Sequence, residues 1–416
     1  MEKYNISALS NGIQLVSEYI PYVKSFSIGF WFNVGARDEN ERNNGISHFI
    51  EHMVFKGTRK RTAKQLSDAI ESYGGYLNAF TGKEHTCYYG RGLSENLRRT
   101  FDVISDMIQN PLFRDYHIKK EAGVVIDELN DINDNPEELI FDKFEEILFS
   151  GSPLSLPIIG RENNILNFNS PSLHKYHKEK YLGSNLLIVA SGDVKHENLL
   201  KTAENYLYNE FTSAAPRKLK KANPVSGIHL INKEIQQVHS IIGRETFGYK
   251  SDNRLKIKVL STLLGEGSSS RLFQSVREKL GITYQINSFL NSFYDVSAFG
   301  VYFSTNEKHL EKVTSIILKE FKRLRETKVG EKELNRVKEY LKGSIILSLE
   351  NTTNRMIRIS NSLLYFNRIL SAEEVLKKID AVTAEDILNL AGELLVEKEL
   401  VSVTLKPAEP KKNKAA

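Results

Sequence analysis

The chain has 416 residues, 40% of them hydrophobic and 26% charged, which is typical of a globular protein with two or more domains. Its net charge of +5 comes from 57 basic and 52 acidic residues, and because no nucleic-acid motif accompanies this small excess, we predict no nucleic-acid partner. The sequence contains no membrane-spanning run, no apolar signal region and a single cysteine, Cys87, so we expect a cytoplasmic protein, or an organelle matrix protein whose presequence is absent.

The first half of the sequence alternates strands and helices around one short amphipathic helix. Two strands joined by an Asn-Gly turn are expected over residues 4–18, and the apolar stretch 26–34 predicts a third strand. A polar loop then leads to the amphipathic helix within residues 45–57, which a glycine ends. The remaining predicted elements are a helix beginning at Thr62, strands at 76–80 and 87–93, helices at 94–109, 115–132 and 136–149, a helix after Ser170, a buried strand at 185–190 and a helix ending near 209.

A change of composition near the middle of the sequence marks a domain boundary. Residues 212–227 contain two prolines, several small residues and the basic run 217–221, with little apolar periodicity. We therefore predict a solvated interdomain linker at 212–227, which separates a domain at 1–211 from a domain at 228–416 that ends in a basic tail.

The second domain repeats the order of elements of the first. Strands expected at 282–290 and 297–304 stand where 76–80 and 87–93 stand in the first domain, and two long helices follow before a last strand near 401–405. We predict an α+β fold of two homologous domains, each a mostly antiparallel sheet with helices packed on one face.

The amphipathic helix carries the chemistry. His48 and His52 are four residues apart, so their side chains share one face of the helix, and Glu51 lies beside them. Two imidazoles at this spacing can hold a divalent ion, most naturally zinc, with a carboxylate next to the open coordination position. The order His-x-x-Glu-His marks the inverzincins. The alternative interpretation is a pair of surface histidines on an ordinary helix.

Zinc needs a third protein ligand, and the predicted helix at 115–132 offers two candidates. Glu121 and Glu128 are seven residues apart, which places both on one helical face. Taken alone, this pair also fits a solvated acidic stripe.

Several segments together resemble the pitrilysin family of metallopeptidases, and in particular its short-chain branch, which includes the mitochondrial processing peptidase beta subunit and bacterial relatives of it. The resemblance is carried by His-x-x-Glu-His, by the spacer 53–127 before a glutamate, and by the segments 54–58 and 74–81. It covers both halves of the chain. It implies that His48, His52 and Glu128 bind one zinc ion, that Glu51 is the general base, and that Glu121 is a second acidic residue supporting the site.

The resemblance extends to the half without the histidine motif. Residues 276–284 match the segment with which the family contacts substrate near the scissile bond, so Arg277 and Tyr284 are implied to stabilise the developing oxyanion. Without the resemblance, residue type alone favours a surface arginine on a helix and a strand tyrosine. The family also implies an extended substrate paired with the strand at 76–80, where Asn78, Ala79 and Phe80 are the candidate substrate-binding residues.

Active members of the family enclose substrate in a chamber built from four such domains, and this chain supplies two. The resemblance therefore implies a homodimer in which the second domain of one copy completes the zinc site of the other. We predict a zinc-dependent endopeptidase that hydrolyses peptides or unfolded, presequence-like segments in a closed chamber. The alternatives are a catalytically silent structural relative and the active half of a heterodimer.

Overall fold

A computed structural model describes residues 4–181, 183–207, 217–223 and 225–408. It divides into two compact units, one made of Met1–Asn130, Leu156–Leu219 and Ile346–Ser371, the other of Asp131–Ser155, Lys220–Ile345 and Ala372–Ala416. Part of the predicted linker, residues 212–216 and Pro224, lies outside the described residues, as does the predicted basic tail at 409–416.

Eleven strands are present in the described part of the chain. They are β1 (Tyr4–Ala8), β2 (Gln14–Tyr19), β3 (Ser25–Phe32), β4 (Tyr76–Thr81), β5 (Thr86–Leu93), β6 (Leu186–Gly192), β7 (Gly227–Lys233), β8 (Val238–Phe247), β9 (Thr283–Ser292), β10 (Val296–Thr305) and β11 (Val401–Pro407).

Fourteen α-helices are present in the same residues. They are α1 (Ile46–Val54), α2 (Ala63–Glu71), α3 (Leu97–Gln109), α4 (Asp115–Asp134), α5 (Pro136–Leu148), α6 (Glu162–Asn167), α7 (Ser170–Lys180), α8 (His196–Tyr206), α9 (Arg254–Gly265), α10 (Leu310–Glu326), α11 (Glu331–Ser348), α12 (Thr352–Phe366), α13 (Ala372–Asp380) and α14 (Ala384–Leu394). None of these helices is long and apolar enough to cross a membrane.

The two sheets share one topology. Their strand orders are β4-β5-β3-β6-β2-β1 and β9-β10-β8-β11-β7, so the second sheet repeats the first without its outermost strand. Each sheet has one parallel pair, β2 with β6 and β7 with β11, and every other neighbouring pair is antiparallel. This confirms the α+β class, the mostly antiparallel sheets and the internal repeat.

Helices cover both faces of the first sheet. Successive strand residues point to opposite faces, so Phe30 and Trp31 of β3 serve different cores. The Phe30 ring packs against Phe101 of α3, with 4.9 Å between ring centroids. Trp31 is buried on the other side in a cluster with Met356 of α12. The sequence predicts helices on one face only, whereas α12 covers the second face of this sheet.

The second sheet has the same arrangement. Phe299 of β10 is buried in a large cluster that includes Leu260 of α9 and Ile317 of α10. The adjacent residue Ala298 belongs to a separate cluster that contains Phe144 of α5. Helix α5 therefore covers the face of this sheet that the other helices leave open.

The helices α5 and α12 explain why the compact units do not follow the division at 212–227. Residues 131–155, which include α5, belong to the second unit, and residues 346–371, which include α12, belong to the first. The periodicity of each helix shows that it has an apolar side but carries no information about which sheet that side covers.

One residue of the basic run differs from the expectation of a solvated linker. Arg217 is largely buried and forms two hydrogen bonds to the Asp38 carboxylate, at 3.0 and 2.7 Å, as well as one to the Glu84 carbonyl oxygen at 2.6 Å. A bidentate arginine–carboxylate pair is a strong and geometrically specific interaction. Arg217 therefore attaches the segment that follows the predicted first domain to the first unit.

Candidate metal centre

Helix α1 carries His48 in a buried position and Glu51 and His52 in partly accessible ones. Phe49, Ile50 and Met53 are buried on its apolar side. The helix ends at Val54, slightly before the expected Gly57, which adopts a positive φ of 119° in the turn that follows.

Glu128 of α4 lies opposite the two histidines. Its Oε1 atom is 3.7 Å from His48 Nε2 and its Oε2 atom is 3.5 Å from His52 Nε2. The ligand atoms of the three residues all lie within 4.8 Å of one another, and this is the one such cluster found among the described residues. Ligands at tetrahedral bond lengths around zinc would be about 3.3 Å apart, so the spacing fits an ion between them.

His52 is oriented by a carboxylate on its far side. Its Nδ1 atom lies 3.0 Å from Glu121 Oε1, and Glu121 Oε2 accepts a hydrogen bond from Lys56 Nζ at 2.7 Å. Burial acts to raise the pKa of Glu121, but the hydrogen bonds from His52 and Lys56 outweigh it and the pKa lies below its ordinary value. An ionised Glu121 accepts the Nδ1 proton, which leaves the Nε2 lone pair of His52 directed at Glu128.

His48 is held in its neutral form. Burial, with a smaller contribution from His52, lowers the pKa of His48 to about 3. Its Nδ1 atom is buried and has no hydrogen-bond partner in the described structure. Neutral imidazole is the form that binds metals, and two imidazole nitrogens with one carboxylate constitute a suitable set for a divalent ion such as zinc.

Glu51 lies beside the cluster but does not belong to it. Its Oε2 atom accepts a short hydrogen bond from Thr81 Oγ1 at the end of β4. Burial raises the pKa of Glu51, partly opposed by the Thr81 hydrogen bond. A carboxylate with a raised pKa is better matched to proton transfer near neutral pH than an ordinary surface glutamate.

The predicted substrate strand, β4, is an edge strand of the first sheet. The Ala79 N–H is bonded to the Asn78 side chain, at 2.9 Å, and so is directed away from β5. Backbone groups alternate along a strand, so Ala79 presents its backbone at the open edge, whereas the backbone groups of Asn78 and Phe80 are directed at β5. By the same alternation the side chain of Ala79 shares a face with Thr81, and those of Asn78 and Phe80 lie on the opposite face.

Arg277 and Tyr284 are brought together in the second unit. Arg277 lies in a short π-helix, Phe273–Glu278, with its guanidinium 4.8 Å from the Phe273 ring centroid and 5.6 Å from the Tyr284 ring centroid. The Tyr284 side chain is 79% exposed. The residues of the metal cluster all belong to the first unit, so the predicted site residues divide between the two units.

Sequence reasoning missed several residues that hold the site. Lys56 and Thr81 both fall in segments used for the family resemblance, but only the fold shows that Lys56 reaches Glu121 and that Thr81 reaches Glu51. A cavity of about 520 Å³ was also missed; it lies between the end of α1, helix α2 and the start of β4, where Phe55 and Leu77 line it.

A duplicated α+β fold with a His-x-x-Glu-His helix completed by a glutamate is the arrangement of the inverzincin class of metallopeptidase. Two family models match the chain in succession. Residues 14–162 match insulinase (peptidase family M16), and residues 167–341 match the peptidase M16 inactive domain.

Relatives cover nearly the whole chain. A Rickettsia bellii protein named an uncharacterized zinc protease is 35% identical over 394 residues, 94% of this chain and 95% of that protein. A Bacillus subtilis protein named in the same way is 32% identical over 387 residues, 93% of this chain and 94% of its own length. The chain therefore belongs to peptidase family M16, the pitrilysin family, and the predicted resemblance is confirmed.

Solved structures share the fold at low sequence identity. A protease from Helicobacter pylori superimposes with a TM-score of 0.90 at 21% identity, covering 98% of this chain and all of that one. A Pseudomonas fluorescens structure described as a peptidase M16 inactive domain gives a TM-score of 0.91 at 17% identity, with 99% of each chain covered. Family membership and the relatives' names support a peptidase.

Proposed function

We propose that this chain is a zinc-dependent endopeptidase in which His48, His52 and Glu128 hold the metal and Glu51 is the general base. The observation that carries the proposal is the convergence of three neutral or anionic donors on one point, with a fourth carboxylate beside them that is held by a different partner. A set of three protein ligands with an open position is typical of catalytic zinc sites rather than structural ones.

Zinc bound there would polarise the scissile carbonyl and lower the pKa of a water molecule. Glu51 takes the proton from the attacking water and returns it to the leaving amine. Thr81 restricts the carboxylate of Glu51 to one orientation, and Glu121 keeps His52 in the tautomer that binds metal through Nε2.

The substrate is an extended peptide added to the open edge of β4. Ala79 supplies backbone hydrogen bonds, for which the Asn78 side chain must release the Ala79 N–H. The cavity beside the start of β4 offers space for one apolar side chain against Phe55 and Leu77. Because strand addition needs an unfolded segment, folded proteins are poor substrates.

The pair Arg277 and Tyr284 completes the site as donors toward the developing oxyanion. We assign this role to the second unit of a partner copy in a homodimer. Arg277 and Tyr284 contact each other, and Tyr284 is exposed. Both observations support a preorganised pair that acts on a substrate held by a different unit.

The proposal is tested by digesting a peptide library with the purified protein before and after chelation, with the metal content of the same samples measured. We expect one zinc per chain and cleavage that stops on chelation and returns with zinc. Undiminished cleavage by metal-free protein would show that the proposed mechanism is wrong, and a zinc-loaded protein that cleaves nothing would identify a catalytically silent relative.

A further inference from the structure

A buried glutamate outside the motif holds the first turn of helix α1. Glu39 is only 4% exposed, and its carboxylate accepts hydrogen bonds from the Gly45 N–H at 2.7 Å and the Ser47 N–H at 2.8 Å. Asn44 Nδ2 donates a third, at 3.0 Å. The first N–H groups of a helix have no partners within the helix. At α1 the Glu39 carboxylate accepts hydrogen bonds from two such groups, although Glu39 precedes Gly45 by six residues and Ser47 by eight.

The start of α1 is also enclosed sterically. Gly45 has a φ of 95°, and a Cβ atom added there would lie 2.7 Å from Gly160 Cα. A Cβ atom at Gly160 would lie 2.5 Å from Gly45 Cα, so each glycine excludes a side chain at the other. The close approach of the two glycines thus fixes the position and the direction of the first turn of α1. His48 lies in this turn, directly after Ser47.

The loop that carries Glu39 is tied to the turn after β4. The Ala36 N–H donates to the Gly82 carbonyl oxygen at 3.2 Å, and the Arg37 N–H donates to the Lys83 carbonyl oxygen at 2.7 Å. Gly82 immediately follows Thr81, which holds Glu51. The same short loop therefore connects the start of the histidine helix to the strand end that orients Glu51.

We propose that Glu39 is a positioning residue of the metal centre, which sets the rotation and axial position of α1 so that His48 and His52 meet Glu128 while Glu51 meets Thr81. This inference rests on the proposed zinc peptidase function and adds a residue to it. In its ionised form Glu39 also offsets the positive end of the helix dipole, which otherwise makes nearby imidazoles poorer donors to a cation.

The start of α1 requires a carboxylate at position 39, although burying its charged form is energetically unfavourable. Burial raises the pKa of Glu39 to about 7, although four hydrogen bonds with Ser47, Gly45 and Asn44 act in the opposite direction. An amide has one acceptor oxygen and one donor nitrogen, so it could not accept hydrogen bonds from both the Gly45 and Ser47 N–H groups as the two carboxylate oxygens do.

The test compares Glu39→Gln with Glu18→Gln. Glu18 is a matched control because it is equally buried in the same unit, where it pairs with Arg355 at 2.6 Å and accepts a hydrogen bond from Ser191, away from α1. Zinc dissociation constants are measured by competition with a chromophoric chelator, and kcat and KM are measured at saturating zinc with one peptide.

We expect Glu39→Gln to weaken zinc binding about ten-fold and to lower kcat by a similar factor with KM unchanged, because outer groups that orient metal ligands have effects of this size. Glu18→Gln should destabilise the protein to unfolding yet leave the zinc dissociation constant within about two-fold. Equal zinc affinity of parent and Glu39→Gln, or equal losses in the two variants, would overturn the inference.

If Glu39→Gln does not fold, Asn44→Ala replaces it, because this change removes one donor to Glu39 and leaves the carboxylate in place. It should weaken zinc binding by a smaller factor in the same assay, and unchanged zinc affinity would contradict the inference. A parent protein that binds no zinc would instead reject the proposed function, so the two failures are distinguishable.

Discussion

His52 Nδ1 and Glu121 Oε1 lie 3.0 Å apart, and the second oxygen of Glu121 is held by Lys56. The imidazole is thereby fixed in ring orientation and tautomer before any metal arrives. Such partners of histidine ligands raise the donor strength of the imidazole and reduce the cost of organising the site.

We predict that Glu121→Gln lowers zinc affinity by about 10–100-fold while the fold is retained, because the amide can leave His52 in the wrong tautomer. Chelator competition measures the affinity. Asp127→Asn is the control, since it makes the same change of charge on an exposed position of α4 next to Glu128. Equal zinc affinities for the two variants would refute the role of Glu121.

Glu51→Gln should bind zinc as the parent does and lose hydrolysis by about 10²–10⁴-fold, because the amide cannot accept the proton of water. Zinc content and single-peptide kinetics on one preparation give both numbers. A variant that retains near-parental kcat would exclude Glu51 as the general base, whereas loss of zinc would make Glu51 a ligand.

Thr81→Val should lower kcat about ten-fold with little change in zinc affinity or KM, because the carboxylate of Glu51 loses the hydrogen bond that orients it. Thr81→Ser, which keeps the hydroxyl group, should restore most of the activity. If valine and serine behave alike, the hydroxyl group has no part in catalysis.

A mixed-dimer experiment tests whether Arg277 acts across the homodimer. Coexpressed Glu51→Gln and Arg277→Ala chains should recover about a quarter of parental activity, because half of the dimers are mixed and each mixed dimer has one intact composite site. Each variant alone should be nearly inactive. Absence of recovery in demonstrably mixed dimers would place Arg277 and Glu51 of one site in the same chain.

The pH dependence of unfolding should reveal His85. Burial, together with the nearby Arg217, lowers the pKa of His85 to about 3, and its ring contacts the Tyr365 ring at a centroid distance of 5.2 Å. The unfolded chain binds the proton at its ordinary pKa near 6.5, so the unfolded state gains protons first as the pH falls and the native state loses stability.

Relative to His85→Gln, the parent should therefore lose about 1.4 kcal/mol of unfolding free energy per pH unit below 6.5. Urea unfolding of both proteins between pH 7.5 and pH 5 measures this difference. A difference that is constant with pH would mean that the native state accepts the proton at its ordinary pKa.

The sequence predicts the parts of the site that depend on spacing along one helix. His48 and His52 are four apart, and Glu121 and Glu128 are seven apart, so each pair had to share a face once its helix formed. That the two helices face each other came from the family resemblance and not from periodicity.

The partners that hold these residues could not be predicted in the same way. Glu39 reaches the first turn of α1 through a loop, and Thr81 reaches Glu51 from a strand 30 residues further along. Such contacts depend on how a loop or a strand end is placed in three dimensions, and no period in the sequence encodes that placement. For the same reason the sequence does not show which sheet α5 and α12 cover.

Helix α5 precedes the predicted linker but belongs to the second unit, and α12 follows the linker but belongs to the first. This arrangement has consequences for the synthesis of the chain and for the design of fragments. Until the ribosome has synthesised residues from 352 onward, the face of the first sheet that includes Trp31 is not covered by α12. An amino-terminal fragment that ends within 212–227 lacks α12. Its apolar sheet face would be exposed to solvent, so the fragment would be prone to aggregate. Fragments meant to reconstitute the protein should therefore be expressed together.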